Sequence, residues 1–244
     1  MISKPKVRFI KSLQVKKYRL AEQCFLVQGA KAVSEVLASD YTVELLCATP
    51  QFLDEFYRKD KAKEVVETSE KELTALGSVE ANNAALAVVR MMPPGQPRLS
   101  PDTYTLVLDD IRDPGNLGTI IRTADWYGIR QIVASEETTD VYSPKVINAT
   151  MGSFLRVPVY YTSLDTFLAS AKVPVYGAFL DGKDVHRMEF GEGGLLVIGN
   201  ESRGISPAVA RRVTDRITIP RYGKAESLNA SVATAIVLDN LRRR

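Results

Sequence analysis

The sequence has few of the residues that build disulfide frameworks and metal centres. Its two cysteines, Cys24 and Cys47, lie far apart and form no C-x-x-C pair. Its single histidine, His186, has no cysteine or second histidine with which to share a zinc ion, so no metal site is expected. Two isolated cysteines are typical of structural thiols in a reduced, cytoplasmic setting.

Long apolar segments are also missing. No run of about 18 apolar residues occurs, so the sequence predicts no transmembrane helix and no membrane partner. The N-terminal residues are basic and include no apolar stretch as long as a secretory signal, so we expect a cytoplasmic location. The 244 residues, 45% hydrophobic and 25% charged, are typical of a globular chain with one large or two small domains.

A strong overall charge is absent, but the charge is unevenly distributed. The formal net charge of +3 is too small to identify a nucleic-acid partner. The first twenty residues nevertheless contain no acidic residue, and the chain ends in three consecutive arginines. Such clusters suit the phosphate backbone of RNA or DNA, and the alternative is a pair of solvated termini. The basic residues near the N-terminus are Lys4, Lys6, Arg8, Lys11, Lys16, Lys17 and Arg19.

A proline-rich segment, residues 93–102, divides the sequence into two parts. Proline removes backbone donors and stiffens the chain, so this segment is predicted to be a linker. In residues 1–92, short apolar runs alternate with amphipathic segments, which predicts a small α/β domain with helices covering a sheet. Strands are predicted at residues 24–27, 43–48, 64–67 and 86–91, and helices at 12–19, 30–37, 54–63 and 70–76, with a turn at Pro50.

Residues 103–244 are predicted to form a larger α/β domain. The continuous apolar run at 104–108 is typical of a strand buried in a parallel sheet. Strands joined by crossover helices predict a parallel sheet with right-handed connections. Further strands are predicted at residues 131–134, 173–180, 195–198 and around Ile217 and Ile219, an extended stretch at 154–159, and helices at 119–127, 144–150, 164–171, 207–213 and 230–241.

Three polar loops follow three of these strands, at residues 109–118, 199–204 and 220–229. Each combines glycine with Asn, Glu, Ser or Arg, and none contains G-x-G-x-x-G or G-x-x-x-x-G-K-[ST]. Open α/β sheets bind ligands outside the carboxyl ends of their strands, and a helix N-terminus there can hold a polar or anionic group. The three loops are therefore the predicted ligand site.

Three motifs cover these loops and the residues beside them: N-L-G-T-I-I-R-T-A from residue 116, I-G-N-E-S-R-G-I from residue 198 and I-P-R-Y-G-K-A-E-S-L-N-A-S-V-A from residue 219. They resemble the three motifs of the SpoU/TrmH-type RNA ribose 2′-O-methyltransferases of the SPOUT superfamily. Residues 1–92 are similar to the substrate-binding domain that often precedes this domain, through K-K-Y-R at 16–19 and F-L-V-Q-G-A-K-A-V at 25–33. The resemblance implies a trefoil-knotted α/β domain, preceded by a small RNA-recognition domain.

The resemblance also implies a homodimer that uses S-adenosylmethionine as methyl donor, with no metal. It implies that backbone groups of Gly199, Ile219 and Leu228 hold the donor. The residues that match the reaction centre of the family are Asn116, Arg122, Glu201, Ser227 and Asn229.

The sequence allows more than one role for Arg122. The residue suits fork-like contact with the RNA phosphate beside the target ribose, and proton acceptance is a second hypothesis, because a guanidinium normally keeps its charge. A surface arginine is the simplest alternative.

The other predicted residues also have structural alternatives. Asn116 could cap its helix as well as contact substrate. Glu201 could orient Asn116 or Arg122, or pair locally with Arg203. Ser227 and Asn229 could be helix-start residues. Finally, Trp126 and Tyr127 are interpreted as core or dimer contacts, and Met151 to Ser153 could form part of an RNA entrance.

Together these features predict an S-adenosylmethionine-dependent RNA 2′-O-ribose methyltransferase whose substrate is ribosomal RNA. The basic N-terminal arm and the separate first domain favour ribosomal over transfer RNA. The alternatives are a transfer-RNA 2′-O-methyltransferase, a non-catalytic RNA-binding protein that keeps the knotted fold, and a nucleotide-binding α/β protein of ordinary topology.

Overall fold

The computed structural model describes residues 2–57, 60–77, 82–93 and 95–243. The chain divides into two compact units. One consists of Met1–Pro93 and Asp140–Leu155, and the other of Pro94–Thr139 and Arg156–Arg244. Pro94 of the predicted linker and Arg244 of the basic C-terminus lie outside the described residues.

Helices and strands are labelled here in chain order. Those before the linker are α1 Lys4–Ser12, α2 Lys16–Glu22, β1 Cys24–Gln28, α3 Ala30–Leu37, β2 Val43–Ala48, α4 Pro50–Phe56, β3 Val65–Glu67, α5 Glu70–Leu76 and β4 Ala85–Arg90. Those after it are β5 Tyr104–Leu108, α6 Pro114–Trp126, β6 Ile132–Ala134, α7 Pro144–Thr150, β7 Val159–Tyr161, α8 Leu164–Ala169, β8 Val175–Asp184, β9 Gly194–Ile198, α9 Pro207–Ala210, β10 Asp215–Thr218 and α10 Ala230–Arg242.

The first unit is built on a four-stranded sheet of order β1-β4-β2-β3, in which only β2 and β3 are parallel. Alternate residues of β1 enter two different apolar clusters. Phe25 and Val27 pack in one cluster, and Cys24 and Leu26 in the other. This alternation is the strand period of two, so both faces of the sheet are covered.

The segment Asp140–Leu155 completes the first unit. The rings of Tyr142 and Phe154 lie 4.6 Å and 5.8 Å from that of Phe25. Arg19, only 3% exposed, donates to Asp140 at 2.6 Å and to the carbonyl oxygens of Leu13 and Gln14. The arginine of the K-K-Y-R motif is therefore a buried structural residue, and sequence periodicity gave no sign of this packing.

The second unit contains a six-stranded sheet of order β10-β8-β9-β5-β6-β7, in which every pair is parallel. The predicted parallel sheet is thus confirmed. Pairing between β8 and β10 jumps from Gly177 to Lys183, so residues 178–182 bulge out of the ladder. Because all strands run the same way, their carboxyl ends share one edge.

Several predicted element bounds were wrong, and helix capping explains two of them. The helix expected at 54–63 is α4, which begins at Pro50 because Thr49 accepts a hydrogen bond from the Phe52 N–H. Similarly, α6 begins at Pro114 under the Asp113 cap rather than at residue 119. Two more differences are that residues 12–19 are split between α1 and α2, and that residues 153–155 form a 3₁₀ turn before β7.

Three smaller expectations can be compared directly. Cys24 and Cys47 are buried free thiols, and burial raises the pKa of Cys47 to about 11. Trp126 is 84% exposed, so its assignment to the core was wrong, and the dimer alternative remains. Within the described residues, no helix has both the length and the apolarity needed to cross a membrane.

Candidate active site

The three predicted loops meet at the carboxyl edge of the second sheet. They follow β5, β9 and β10, and two of them lead into the N-termini of α6 and α10. Such an edge is where an open α/β sheet binds ligands. The parallel sheet therefore brings together motifs that are about 110 residues apart in sequence, as the hydrogen bond between Asn229 and Asn116 demonstrates.

A chain of side-chain hydrogen bonds joins one residue from each loop. Asn229 Nδ2 donates to Asn116 Oδ1 at 2.8 Å, and Asn116 Nδ2 donates to the Glu201 carboxylate. Asn229 also caps α10, because its Oδ1 accepts from the N–H groups of Ser231 at 2.9 Å and Val232 at 3.4 Å. We call Asn229, Asn116 and Glu201 the amide relay.

The helix cap fixes the polarity of the amide relay. Oδ1 of Asn229 is occupied by backbone donors, so only its Nδ2 faces Asn116. Asn116 must then accept through Oδ1 and donate through Nδ2, and Glu201 must be the acceptor at the end. The hydrogen bond from Asn116 to Glu201 is consistent with the prediction that Glu201 orients Asn116. The alternative, an ion pair between Glu201 and Arg203, is not formed, because the Arg203 guanidinium faces the Asp110 carboxylate at 3.8 Å.

Asn116 is not the helix cap that was considered from the sequence. Asp113 caps α6 by accepting from the Asn116 N–H at 2.8 Å, so Asn116 lies inside the first turn. Its side chain is therefore available to the amide relay. By contrast, Asn229 is the cap of its own helix, as the structural alternative proposed.

Two polar residues that the sequence analysis missed, the partly buried Asn200 and the buried Asp109, hold the first two loops together. Asn200 Nδ2 donates to the Asp110 carbonyl at 2.8 Å, and Asn200 Oδ1 accepts from the N–H groups of Ser202 and Arg203. Asp109 Oδ2 accepts from the Ser206 N–H at 2.7 Å. The available signal was the polar pair Asp109–Asp110 directly after a buried strand.

Gly199 stands where no side chain fits. A Cβ placed there would overlap the backbone of Gly204 and Ile205. The close approach arises because Asn200 and Gly204 exchange backbone hydrogen bonds of 3.1 Å and 2.8 Å, which folds the loop back on itself. Glycine at this position is thus a requirement of the loop, independent of any ligand.

A cavity of about 870 Å³ lies against these loops. It is lined by the three predicted donor-binding residues, Gly199, Ile219 and Leu228, and also by Glu201 and Ser227. The backbone groups of these three predicted residues form no hydrogen bond with any other residue that the structure describes. The lining of the cavity combines these free backbone groups with apolar side chains such as those of Ile198, Phe179, Ile217 and Val237.

This cavity fits the predicted methyl donor. A molecule with a purine, a ribose and a charged tail needs backbone donors and acceptors at some points and apolar walls at others. The free backbone groups of Gly199, Ile219 and Leu228 supply the first, and the aliphatic lining supplies the second. Within the described residues, no cluster of three or more His, Cys, Asp or Glu side chains is suited to a metal ion.

Arg122 is the predicted residue that the chain does not bring to this site. It follows Asn116 on α6 by about 1.7 helical turns, so it points from a different side of the helix. It is exposed, lies outside the cavity lining, and forms no hydrogen bond or ion pair among the described residues. Ser227 is also exposed, but it lines the cavity.

Comparison with known families gives two matches along the chain. Residues 103–239 match the model of the SpoU rRNA Methylase family. Residues 4–87 match the model of the MRM3-like substrate binding domain. The two matches cover most of both parts of the sequence that the proline-rich segment separates.

The chain is also similar to individual proteins over nearly its whole length. It is 32% identical to the 23S rRNA (guanosine(2553)-2′-O)-methyltransferase RlmP of Bacillus subtilis, over 97% of this chain and 96% of that protein. Among solved structures, a TrmH-family protein from Porphyromonas gingivalis has a TM-score of 0.89 at 40% identity, covering 100% and 99% of the two chains. AdoMet-bound rRNA methyltransferase from Sinorhizobium meliloti has a TM-score of 0.85 at 30% identity, covering 100% and 96%.

Proposed function

Because the chain belongs to the SpoU rRNA methylase family, we propose that it transfers the methyl group of S-adenosylmethionine to a ribose 2′-oxygen of ribosomal RNA. The observation that carries the proposal is the cavity of about 870 Å³. Glu201, which ends the amide relay, lines this cavity. A donor cavity beside side chains of fixed orientation is what transfer between two bound reactants requires.

The donor would be held by the backbone groups of Gly199, Ile219 and Leu228. When bound, it supplies a methyl group already activated on a sulfonium. The protein therefore has to bring the 2′-hydroxyl into line and assist the removal of its proton. Glu201, Asn116 and Asn229 supply the fixed polar edge against which the ribose is oriented, and Ser227 adds a hydroxyl on the cavity wall.

Arg122 would bind the RNA phosphate next to the target ribose. An exposed guanidinium keeps its charge and presents a planar fork of donors, which suits a phosphate. Proton acceptance by Arg122 is kept as a second hypothesis, since it would require the guanidinium to lose its proton in the assembled site.

A homodimer would supply this arginine to the site. Arg122 and Trp126 are four residues apart on α6 and are both exposed, so they share one face of the helix. Trp126 is 84% exposed, and burial of so large an apolar side chain against a second subunit would be favourable. A second copy on this face would carry Arg122 of one subunit toward the cavity of the other.

The final segment of the chain would form a trefoil knot, with the helix at residues 230–241 threaded through it. The parallel order β10-β8-β9-β5-β6-β7 and the packing of α10 on α6 support this proposal. An experimental structure with a continuous trace of residues 215–243 tests it. An unthreaded C-terminus would contradict it.

The first unit would contact the RNA outside the reaction site. Lys4, Arg8 and Lys11 recur at the i, i+4, i+7 spacing on α1, all are exposed, and none has a carboxylate partner within the described residues. We call these three residues the basic stripe. Unpaired cations on one face suit a phosphate backbone. A ribosomal substrate and reduced cysteines favour a cytoplasmic setting for this activity.

The proposed function is tested by methyl transfer. Purified protein and methyl-labelled S-adenosylmethionine are incubated with ribosomal RNA and with transfer RNA from cells that lack the gene. We expect label in ribosomal RNA as a 2′-O-methyl nucleotide at one mapped position. Label in transfer RNA alone would favour the transfer-RNA alternative. If calorimetry detects no donor binding and neither RNA is labelled, the protein is a non-catalytic binder.

A further inference from the structure

The loop between β10 and α10 exposes an aromatic side chain at the mouth of the cavity. Tyr222 is 94% exposed and lines the cavity, together with Leu180 of the β8 bulge, which is 78% exposed. The Tyr222 ring has no aromatic or cation partner among the described residues. So large an exposed ring contributes nothing to the core, and it lies beside the cavity assigned to the methyl donor.

Positive charge flanks this ring. Arg221 and Lys224 are exposed, and neither has a carboxylate within ion-pair distance in the part of the chain that the structure describes. The Arg221 guanidinium makes one long contact, 3.4 Å, with the Ala225 carbonyl. Glu226 is the one acidic residue in the sequence from 221 to 229. We call residues 221–224 the RYGK loop.

We propose that the RYGK loop binds an unstacked segment of the RNA substrate, with Tyr222 stacked on a base next to the methylated nucleotide. The proposal rests on the proposed function, because it assigns this loop to the same RNA. A 2′-oxygen can reach a recessed donor only if its nucleotide leaves the regular helix. Splayed bases stack on aromatic side chains, and neighbouring cations bind the backbone phosphates.

The combination of ring and charge favours RNA over the other occupants of this surface. A cover for the methyl donor needs an apolar side chain but no cations on either side of it. A second copy of the chain would present the same cations to each other across a symmetric contact, which is unfavourable. An anionic strand with exposed bases satisfies both features of the RYGK loop.

Three substitutions at Tyr222 test the stacking. Tyr222→Phe keeps the ring, Tyr222→Leu keeps apolar area without a ring, and Tyr222→Ala removes both. Binding is measured with single-stranded polyadenylate and with the poly(A)·poly(U) duplex at one salt concentration. We expect the Leu and Ala variants to lose about 5- to 150-fold in affinity for the single strand, and the Phe variant to stay within about twofold. Duplex binding should change little.

Donor binding and self-association separate the alternatives. Calorimetry with S-adenosylmethionine should give the same dissociation constant for all variants, and sedimentation the same oligomeric state. Weaker donor binding with unchanged single-strand binding would make Tyr222 a donor cover. Altered sedimentation with unchanged RNA binding would make it a subunit contact. Either result overturns the proposal.

The outcome is distinguishable from a failure of the proposed function. If the unsubstituted protein labels no RNA but its single-strand binding depends on Tyr222, the proposed reaction fails and the RYGK loop assignment survives. If the unsubstituted protein methylates ribosomal RNA, and Tyr222→Ala binds the single strand as tightly as the unsubstituted protein does, only the RYGK loop assignment fails. Unchanged thermal unfolding of the variants serves as the folding control.

Discussion

Gly199 is tightly constrained within the loop at residues 199–204. The loop folds back so closely that the Gly199 backbone touches that of Gly204 and Ile205. The lack of a side chain therefore shapes the cavity wall, and the resemblance to the SpoU/TrmH-type enzymes implies that the backbone of this glycine contacts the methyl donor. Its fit can be tested without changing any charge or hydrogen-bonding group.

We expect Gly199→Ala to weaken S-adenosylmethionine binding by about 5- to 150-fold, because the added methyl forces the backbone apart and overpacking of this kind typically costs about 1–3 kcal/mol. Gly191→Ala is the matched control, since Gly191 lies outside the cavity lining and a Cβ there would come no closer than 3.8 Å to its neighbours. Calorimetry measures the affinity and thermal unfolding measures the stability. Equal donor affinity in the two variants would show that the Gly199 loop does not form the donor wall.

The sequence predicted the elements that bear a regular pattern. The bounds of α3 and β2 followed from periodicity and apolar runs, and the parallel second sheet followed from strands joined by crossover helices. The starts of α4 and α6 were missed because Pro50 and Pro114 were interpreted as turn or loop residues rather than first helical residues.

Contacts between distant residues could not be predicted in the same way. The motifs identified Asn116, Glu201 and Asn229, but not which amide donates to which, because that depends on Asn229 capping α10. The bulge at residues 178–182 leaves no mark in the sequence, since it depends on where β10 pairs. Arg122 matched the motif although its own chain does not bring it to the cavity.

The direction of the hydrogen bonds in the amide relay, which joins three loops, can be tested by substitution. In the variant Asn229→Asp the new carboxylate still caps α10 but has no hydrogen to donate to Asn116. Asn116 would then turn its Nδ2 toward that carboxylate and its Oδ1 toward Glu201, which places two acceptors face to face. We expect weaker binding of S-adenosylmethionine and a lower midpoint of thermal unfolding, on the scale of one exposed hydrogen bond, about 0.5–1.5 kcal/mol.

Adding Glu201→Gln should reverse this loss, because the glutamine amide can donate to the turned Asn116. The single variant Glu201→Gln keeps an oxygen that accepts from Asn116, so its own effect on the unfolding midpoint should be small. A double-mutant cycle on thermal unfolding and donor binding measures the coupling. Additive effects of the two substitutions would mean that the relay does not have the orientation inferred from the helix cap.

The basic stripe on α1 predicts how RNA binding depends on salt. Replacing Lys4, Arg8 and Lys11 by glutamine should lower the slope of log affinity against log salt by about 2 to 3, since each phosphate contact contributes about 0.7–0.9. A control variant in which Lys31, Lys61 and Lys71 become glutamine loses the same charge at exposed positions outside the stripe. Equal slopes for the two variants would indicate that only net charge matters.

At the scale of the whole molecule, the first unit is made of two separate parts of the sequence. Asp140, in the second part, forms an ion pair with the buried guanidinium of Arg19. We expect Asp140→Ala to lower the free energy of unfolding by about 3 kcal/mol or more, because it leaves that charge unpaired. Denaturant unfolding measures it, and Asp165→Ala is the control.

The control breaks an ion pair of a different kind. Asp165 and Arg212 are joined at 2.8 Å, but both side chains are more than 40% exposed. Water can solvate either charge after the other is removed, so little change is expected. If the two alanine variants were destabilised equally, the Arg19–Asp140 pair would be a surface contact in energetic terms, and the second segment would not anchor the first unit.

The position of Arg122 away from its own cavity leads to a test of the proposed dimer. If each site combines the cavity of one subunit with Arg122 of the other, Arg122→Ala and Glu201→Ala should each be inactive alone. A heterodimer of the two variants then contains one site with both residues intact. Random mixing makes about half of the dimers mixed, each with one of two sites restored, so about a quarter of the original activity should return.

Differently tagged subunits verify that mixed dimers form, and methyl transfer to ribosomal RNA measures their activity. A subunit carrying both substitutions, mixed with unsubstituted protein, is the control, because every site in its mixed dimers lacks either Arg122 or Glu201. That mixture should lose activity in proportion to the mixed dimers formed. If tagged heterodimers of the two single variants form but transfer no methyl group, Arg122 acts within its own subunit. The exposed face of α6 would then need another explanation.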